Sequence, residues 1–321
     1  MSTPSGRPRA ASTFTPAAVV RFGLLGGIWG GSFLFIKIVV DQVSPLWLVA
    51  GRVVMAAVFL GVVVAVRRRP WPRGTRVWLH LLVLASLGNV VPWALVAAAE
   101  QSIPSGLAAV INSLTPAFTM AIAAGVGIER LGLARVLGLG LALLDTVIVV
   151  SGELGVPGRM AAVVGCVVAT VFYAGTGVYT KRFVSGAAAP LELAAGQLVL
   201  ASLVSVPVSL VFAPTPPWGA LTAGTWVAWL ALGLFGTGVA FVLFYDLIDR
   251  VGATNAAMVT YVIPPIGLVA GWLILSETVG WHVVVGALAI IGGIWLGQRE
   301  RRAKVAADAE AADTEPQPVG V

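Results

Sequence analysis

Long apolar runs, each about as long as a bilayer crossing, alternate along this chain with short breaks rich in proline and arginine. A helix needs roughly 20 apolar residues to cross hydrocarbon. Runs of that length fall near 19–40, 45–66, 77–99, 104–126, 133–152, 160–180, 190–212, 225–248, 253–275 and 281–298. Breakers mark the joints, among them Ser44-Pro45, Arg69-Pro70-Trp71-Pro72, Ile103-Pro104, Val156-Pro157-Gly158, Ala189-Pro190 and Pro214-Thr215-Pro216-Pro217. The pattern predicts an all-α membrane protein with ten transmembrane helices. Residues 1–18 are rich in Ser, Thr, Pro and Arg, and residues 303–321 are Ala-rich with scattered acids. Both flanks read as disordered. The first apolar run begins late and contains Lys37, so it reads as a retained helix rather than a cleaved signal.

The same half is written twice. Pro116, Glu129 and Gly138 recur as Pro264, Glu277 and Gly286, each 148 residues on. Gly88, Ala108, Ala109 and Gly132 recur at that offset too. Upstream, Gly30, Pro45, Leu46, Leu48, Ala50 and Gly51 recur at an offset of 145. The predicted organisation is a first five-helix repeat over 19–152 and a second over 160–298. Five is odd, so the second repeat must run inverted across the membrane. Repeats of this kind in an apolar chain mark transporters built from paired halves.

Composition agrees. Of 321 residues 58% are hydrophobic and 11% charged, against about 25% charged in soluble domains. The lone Cys166 has no disulfide partner and lies in an apolar run. The isoelectric point near 10.1 does not imply nucleic acid, because the basic residues lie in short connections. They also fix orientation. With the N-terminus cytoplasmic, the inner segments hold Arg7, Arg9 and Arg21, then Arg67, Arg68, Arg69, Arg73 and Arg76. They also hold Arg130, Arg135, Lys181, Arg182 and Arg250, and finally Arg299, Arg301, Arg302 and Lys304. The outer loops hold Arg159 alone. Both termini are therefore expected in the cytoplasm, and the chain in the cell membrane.

Ionisable groups at membrane depth are costly and so are candidates for function. Arg52 lies seven residues past Pro45. It either binds a substrate carboxylate or phosphate through its planar fork, or snorkels outward and ties to Asp41. Lys37 and Asp41, four residues apart, read as a surface ion pair. Asp145 lies inside the fifth run with no base nearby in sequence. It is a candidate for proton coupling, the alternative being a neutral acid bonded to backbone. Glu129 and Glu277 stand where one helix ends and the next begins, and read as joints that accept N–H bonds from the following helix. Pro116 and Pro264 interrupt the fourth and ninth helices at matching depth. They are hinge candidates, with a passive kink as the alternative. Polar and aromatic residues at that depth form a candidate substrate site: Trp29, Asn89, Trp93, Asn112, Tyr173, Gln197, Thr237, Tyr245 and Tyr261. Several are repeat-related, as in Asn89/Thr237, Trp93/Phe241 and Asn112/Thr260. Their amphipathic surfaces suit amino acids or aromatic-bearing molecules. His80 and His282 read as interface residues. No catalytic residue, metal site or cofactor is expected, since nucleophile elbow, paired-histidine and Walker patterns are missing.

Several segments together resemble the EamA-type branch of the drug/metabolite transporter superfamily. In the first half these are Trp29-Gly30-Gly31-Ser32, Ser44-Pro45 with Arg52, Leu114-Thr115-Pro116 and Glu129-Arg130-Leu131. In the second they are Gly252-Ala253-Thr254, Tyr261-Val262-Ile263-Pro264-Pro265 and Ser276-Glu277-Thr278. The resemblance covers about residues 20–298. It implies ten helices, two inverted repeats, a cavity between halves, and efflux or exchange of small metabolites. The second half departs from the first, with Ala174 in place of Trp29 and Gln197 in place of Arg52, so a site built there is asymmetric. The expected function is secondary active transport by alternating access around a midplane cavity. The alternatives are an intramembrane enzyme or a non-transporting receptor. Expected partners are the lipid bilayer, a small-molecule substrate and, as an option, a second copy of the chain, but not nucleic acid.

Overall fold

The structure is a computed structural model that describes residues 16–127, 140, 158–251, 256, 258–277, 280, 281, 284 and 285. Among the described residues every regular element is helical. In order they are α1 (Pro16–Val40), α2 (Pro45–Val66), α3 (Thr75–Val83), a π segment (Leu84–Val90), α4 (Val91–Glu100), α5 (Ser105–Asn112) and α6 (Thr115–Gly125). Then come α7 (Arg159–Phe183), α8 (Pro190–Phe212), α9 (Ala223–Gly233), a second π segment (Leu234–Val239), α10 (Ala240–Val251), a 3₁₀ turn (Met258–Tyr261) and α11 (Ile263–Leu275). They make eight helical runs long and apolar enough to cross a membrane among the described residues. These are the predicted first to fourth and sixth to ninth spans, to within a few residues. Most of the predicted fifth and tenth spans, Glu129, Asp145, His282, residues 1–15 and the C-terminal flank lie outside the described residues, while 16–18 of the N-terminal flank are the first residues of α1.

Local chemistry places the joints. Pro45 and Pro190 open α2 and α8 at the first helical position, each after an extended residue, Ser44 or Ala189. Proline fits there because that N–H has no helical partner. Gly158 precedes α7 with φ +80°, a conformation in which a Cβ would crowd the backbone.

Large apolar side chains such as Val58, Leu203, Val227 and Trp272 face outward, as lipid solvation permits. Inward faces are finer-grained. α2 packs along α8, and Ala50, Ala56, Ala57, Ala194, Ala195 and Ala201 are all buried there. With no hydrophobic drive between helices in lipid, small residues gain close packing instead. Gly51 shows the limit, because a Cβ there would lie inside the ring of Trp229. That indole donates its N–H to the Leu48 carbonyl at 2.9 Å.

Packing partners recur in repeat-related twos. α1 packs on α9 and α10 of the eighth span, as α7 packs on α4 of the third. α1 also packs on α11 as α7 does on α6. α2 and α8, themselves repeat-related, pack on each other.

Candidate functional site

Between these packed pairs lies a cavity of about 150 Å³ with Trp29, Arg52, Trp93, Asn112, Tyr173, Gln197 and Tyr245 in its wall. Seven of the ten predicted substrate residues therefore meet in one place. Two more stand immediately behind it and hold its polar groups. Arg52 Nε donates to Thr237 Oγ1 at 3.1 Å. Gln197 Nε2 donates to Asn89 Oδ1, and Tyr245 OH donates to Gln197 Oε1. Tyr261, at the end of the 3₁₀ turn, is not part of the wall.

The π segments explain how Asn89 and Thr237 come to face inward. Each replaces i−4 bonding with a wider turn, a feature that clusters at functional sites. The Thr237 hydroxyl uses the extra width: it donates to the carbonyl of Leu232, five residues back, at 2.9 Å. Its lone pair is left for Arg52. The guanidinium is held from a second side, with Cζ 3.8 Å from the centroid of the Trp93 ring. Among the described residues the Thr237 contact is the one hydrogen bond Arg52 makes. The terminal nitrogens of the fork have no hydrogen-bond acceptor among the described residues. Arg52 is buried and does not pair with Asp41, so of the two sequence readings the structure fits the inward one.

Trp93 and Phe241 meet edge to face at 5.7 Å across the middle of the cavity. Trp29 packs on Phe244 at 5.1 Å. Among the described residues Asn89 Nδ2 and Asn112 Oδ1 are buried without hydrogen-bond partners, and such orphans cost free energy unless a water or ligand meets them. Pro116 is the second residue of α6 and Pro264 the second of α11. Both spans break and restart there, as expected for interrupted helices. The break in the fourth span leaves the Asn112 carbonyl to the Thr115 hydroxyl, which donates to it at 2.7 Å.

The sequence reading missed a stripe of hydroxyls in the wall: Thr115 and Thr119 of the fourth span, Thr176 and Thr180 of α7. Their four-residue spacing on a helix was the available signal. Thr119, Thr176 and Thr180 each donate to the carbonyl four residues back, at 2.7–2.8 Å, which leaves acceptor lone pairs toward the cavity.

One end of the bundle is tied shut above Arg52. Lys37 does not pair with Asp41, as the sequence suggested. Its ammonium turns inward and donates to the backbone carbonyls of Glu100 and Ile103, at 2.5 and 3.4 Å. The carbonyls at the end of α4 lack helical partners, and the ammonium satisfies them. Glu277 accepts N–H bonds as expected, but from the other half. Its carboxylate takes Ser105 N–H and Oγ–H at 2.9 Å each and Gly106 N–H at 3.4 Å, capping α5. Ser276 turns the chain back with φ +54°. Gln42 and Thr222 add a further cross-link through Thr222 N–H to Gln42 Oε1 at 3.0 Å. At the opposite end, Arg21 pairs with Asp246 at 3.1 Å and His80 bonds Tyr179 at 2.6 Å.

A larger groove of about 610 Å³ lies between α2, α4 and α8. Its wall is apolar apart from Ser44 and Ser86, and it offers a polar solute little to bind.

Comparison with known proteins adds four findings. A model of the EamA-like transporter family matches residues 19–151 and 160–297, leaving little of the chain unmatched. An uncharacterized transporter of Archaeoglobus fulgidus is 26% identical over 85% of this chain and 95% of its own. A probable amino-acid metabolite efflux pump of Salmonella typhimurium is 23% identical over 86% of this chain and 93% of its own. One solved crystal structure superposes with a TM-score of 0.66 at 19% identity, covering 88% of this chain and 96% of that one. That likeness speaks for the fold alone.

Proposed function

We propose, from the premise that the chain belongs to the EamA-like transporter family, that it exports or exchanges small amino-acid-like metabolites whose carboxylate sits on Arg52. Membership makes the chain a multi-pass membrane transporter. The finer reading has ten helices in two inverted repeats, 19–152 and 160–298, that rock around the cavity. The repeat-related packing of the described spans supports that arrangement. Pro116 and Pro264 are its hinges. The distribution of basic residues puts both termini in the cytoplasm and the Lys37 end outside. The cavity reaches from Arg52 and Val96 near that end toward Thr119, Thr180 and Thr260 further down. In this reading the molecule is closed to the outside.

The observation that carries the proposal is the state of Arg52. It is buried, braced by Thr237 and Trp93, and its terminal nitrogens have no protein acceptor among the described residues. A buried cation held this way calls for an anion. A planar carboxylate matches its fork. The name of the Salmonella relative favours amino-acid metabolites within that class.

The test is ligand-induced thermal stabilisation of the purified protein across amino acids, their amides and small carboxylates. Carboxylates are expected to stabilise it and their amides not, and Arg52→Lys is expected to remove the difference. Equal stabilisation by acids and amides, or a preference unchanged in Arg52→Lys, overturns the assignment.

A further inference from the structure

Glu100 is the last residue of α4 and lies at the tied end of the bundle. Its side chain is fully buried, and among the described residues neither carboxylate oxygen has a hydrogen-bond partner. The sequence reading passed it over as the boundary of an apolar run.

The charges facing it come from several elements. α1 contributes Lys37 and Asp41, α2 contributes Arg52, and Glu277 lies just past α11. α7 turns Cys166 and Tyr173 toward the same place. Among the described residues two cations and two acids lie around it, and burial is the larger influence on its charge. The nearest cation is already engaged, because the Lys37 ammonium donates to the carbonyls of Glu100 and Ile103. An ionised carboxylate in such a place is penalised by desolvation. A neutral, unpartnered carboxyl costs far less. The neutral form is therefore the one compatible with a sealed end. Opening that end changes the balance, since water then solvates the carboxylate and the Lys37 ammonium is released to face it.

We propose that Glu100 is a proton-binding site, filled while the Lys37 end is sealed and emptied when it opens. On opening, the carboxyl O–H bond breaks, the proton passes to the entering water, and the carboxylate is left opposite Lys37. This rests on the alternating-access reading above and gives it a coupled proton. Acidity on that side of the membrane then favours the sealed form, with one proton taken up per closure.

Accessibility tests it without any substrate. Ile36 lines the cavity beneath the seal and is buried. Ser102 is exposed on the same end. Ile36→Cys and Ser102→Cys, each in a Cys166→Ala background, are labelled with an impermeant maleimide in right-side-out and inverted vesicles from pH 5.5 to 8.5. Ser102→Cys identifies the preparation that presents this end and cancels the thiol's own ionisation. Normalised labelling at position 36 is expected to rise with pH, by up to tenfold per unit for a single proton. Glu100→Gln is expected to label at a low, pH-independent level, and Glu100→Asp to keep the slope. A flat profile with Glu100 intact overturns the proposal, as does a slope that survives in Glu100→Gln. Adding Glu277→Ala, which cuts the seal at another point, separates the two readings. Labelling there with no pH slope sinks the Glu100 site alone, whereas no labelling under any condition sinks alternating access with it.

Discussion

The cavity has two sides related by the internal repeat, and they have diverged in charge while keeping their geometry. Arg52 and Gln197 are equivalent positions, 145 residues apart, and Thr237 and Asn89 are equivalent at 148. The structure pairs them crosswise. Arg52 bonds Thr237, and Gln197 bonds Asn89. The contact made by the cation on one side is made by an amide on the other. Even the supporting π turns correspond, Leu84–Val90 with Leu234–Val239. What differs is saturation. Gln197 is held at both ends, donating to Asn89 and accepting from Tyr245. Arg52 is held at Nε and over its face, and its terminal nitrogens have no acceptor among the described residues. A duplicated scaffold thus carries a cation on one side and a doubly bonded neutral amide on the other. A symmetric pair of arginines would repel across the cavity, and a symmetric pair of amides would lack a charge to meet a carboxylate.

The comparison can be broken most directly by making the sides alike. Arg52→Gln gives both an amide and removes the charge-assisted bonds to a carboxylate, each worth about 1.5–3 kcal/mol. With two such bonds lost, affinity for carboxylate ligands is expected to fall at least about 100-fold, measured by titration calorimetry. Affinity for the corresponding amides should change little. Retained carboxylate affinity would mean that the charge asymmetry has no role in recognition.

A substitution at the sealed end sharpens the comparison by separating packing from recognition. Glu277→Ala removes the cap on α5 and should cost about 1–2 kcal/mol of stability. The apparent Tm is expected to drop, while the preference for acids over amides persists. Loss of that preference would show that the site depends on the seal and not on its own two sides.

The smallest effect is expected on the neutral side. Tyr245→Phe removes one neutral hydrogen bond and Gln197→Ala two, each worth about 1 kcal/mol or about fivefold in affinity. The loss should apply to acids and amides equally, because no charge is involved. A loss confined to carboxylates would place charge recognition on this side as well.

Much of the candidate site was legible in the chain because the repeat offset identifies equivalent positions by residue number alone. Asn89/Thr237 and Trp93/Phe241 emerge that way, and all four residues lie in or directly behind the cavity wall. Asp145 and most of the fifth and tenth spans lie outside the described residues. Lys37 and Glu277 were legible as charged groups at helix ends, yet their partners were not. Sequence proximity suggested Asp41 for Lys37 and the following helix for Glu277. The structure gives Lys37 the end of α4 and Glu277 the start of α5.

The sequence by itself determined how many apolar runs there are, where they break, which residues are repeat-equivalent, and that a cation faces an amide at one such pair. These come from local rules: hydrocarbon thickness, proline's missing N–H, and the register of a duplication. Only the tertiary structure decided which side chains touch. A π turn carries one residue more than an α turn, and one residue rotates the remainder of the helix by about 100°, so no 3.6-residue count could aim Asn89 or Thr237. Contacts between halves depend on how the helices dock, and docking decided that Lys37 turns to backbone, that Glu277 crosses to α5, and that Glu100 is sealed without a partner.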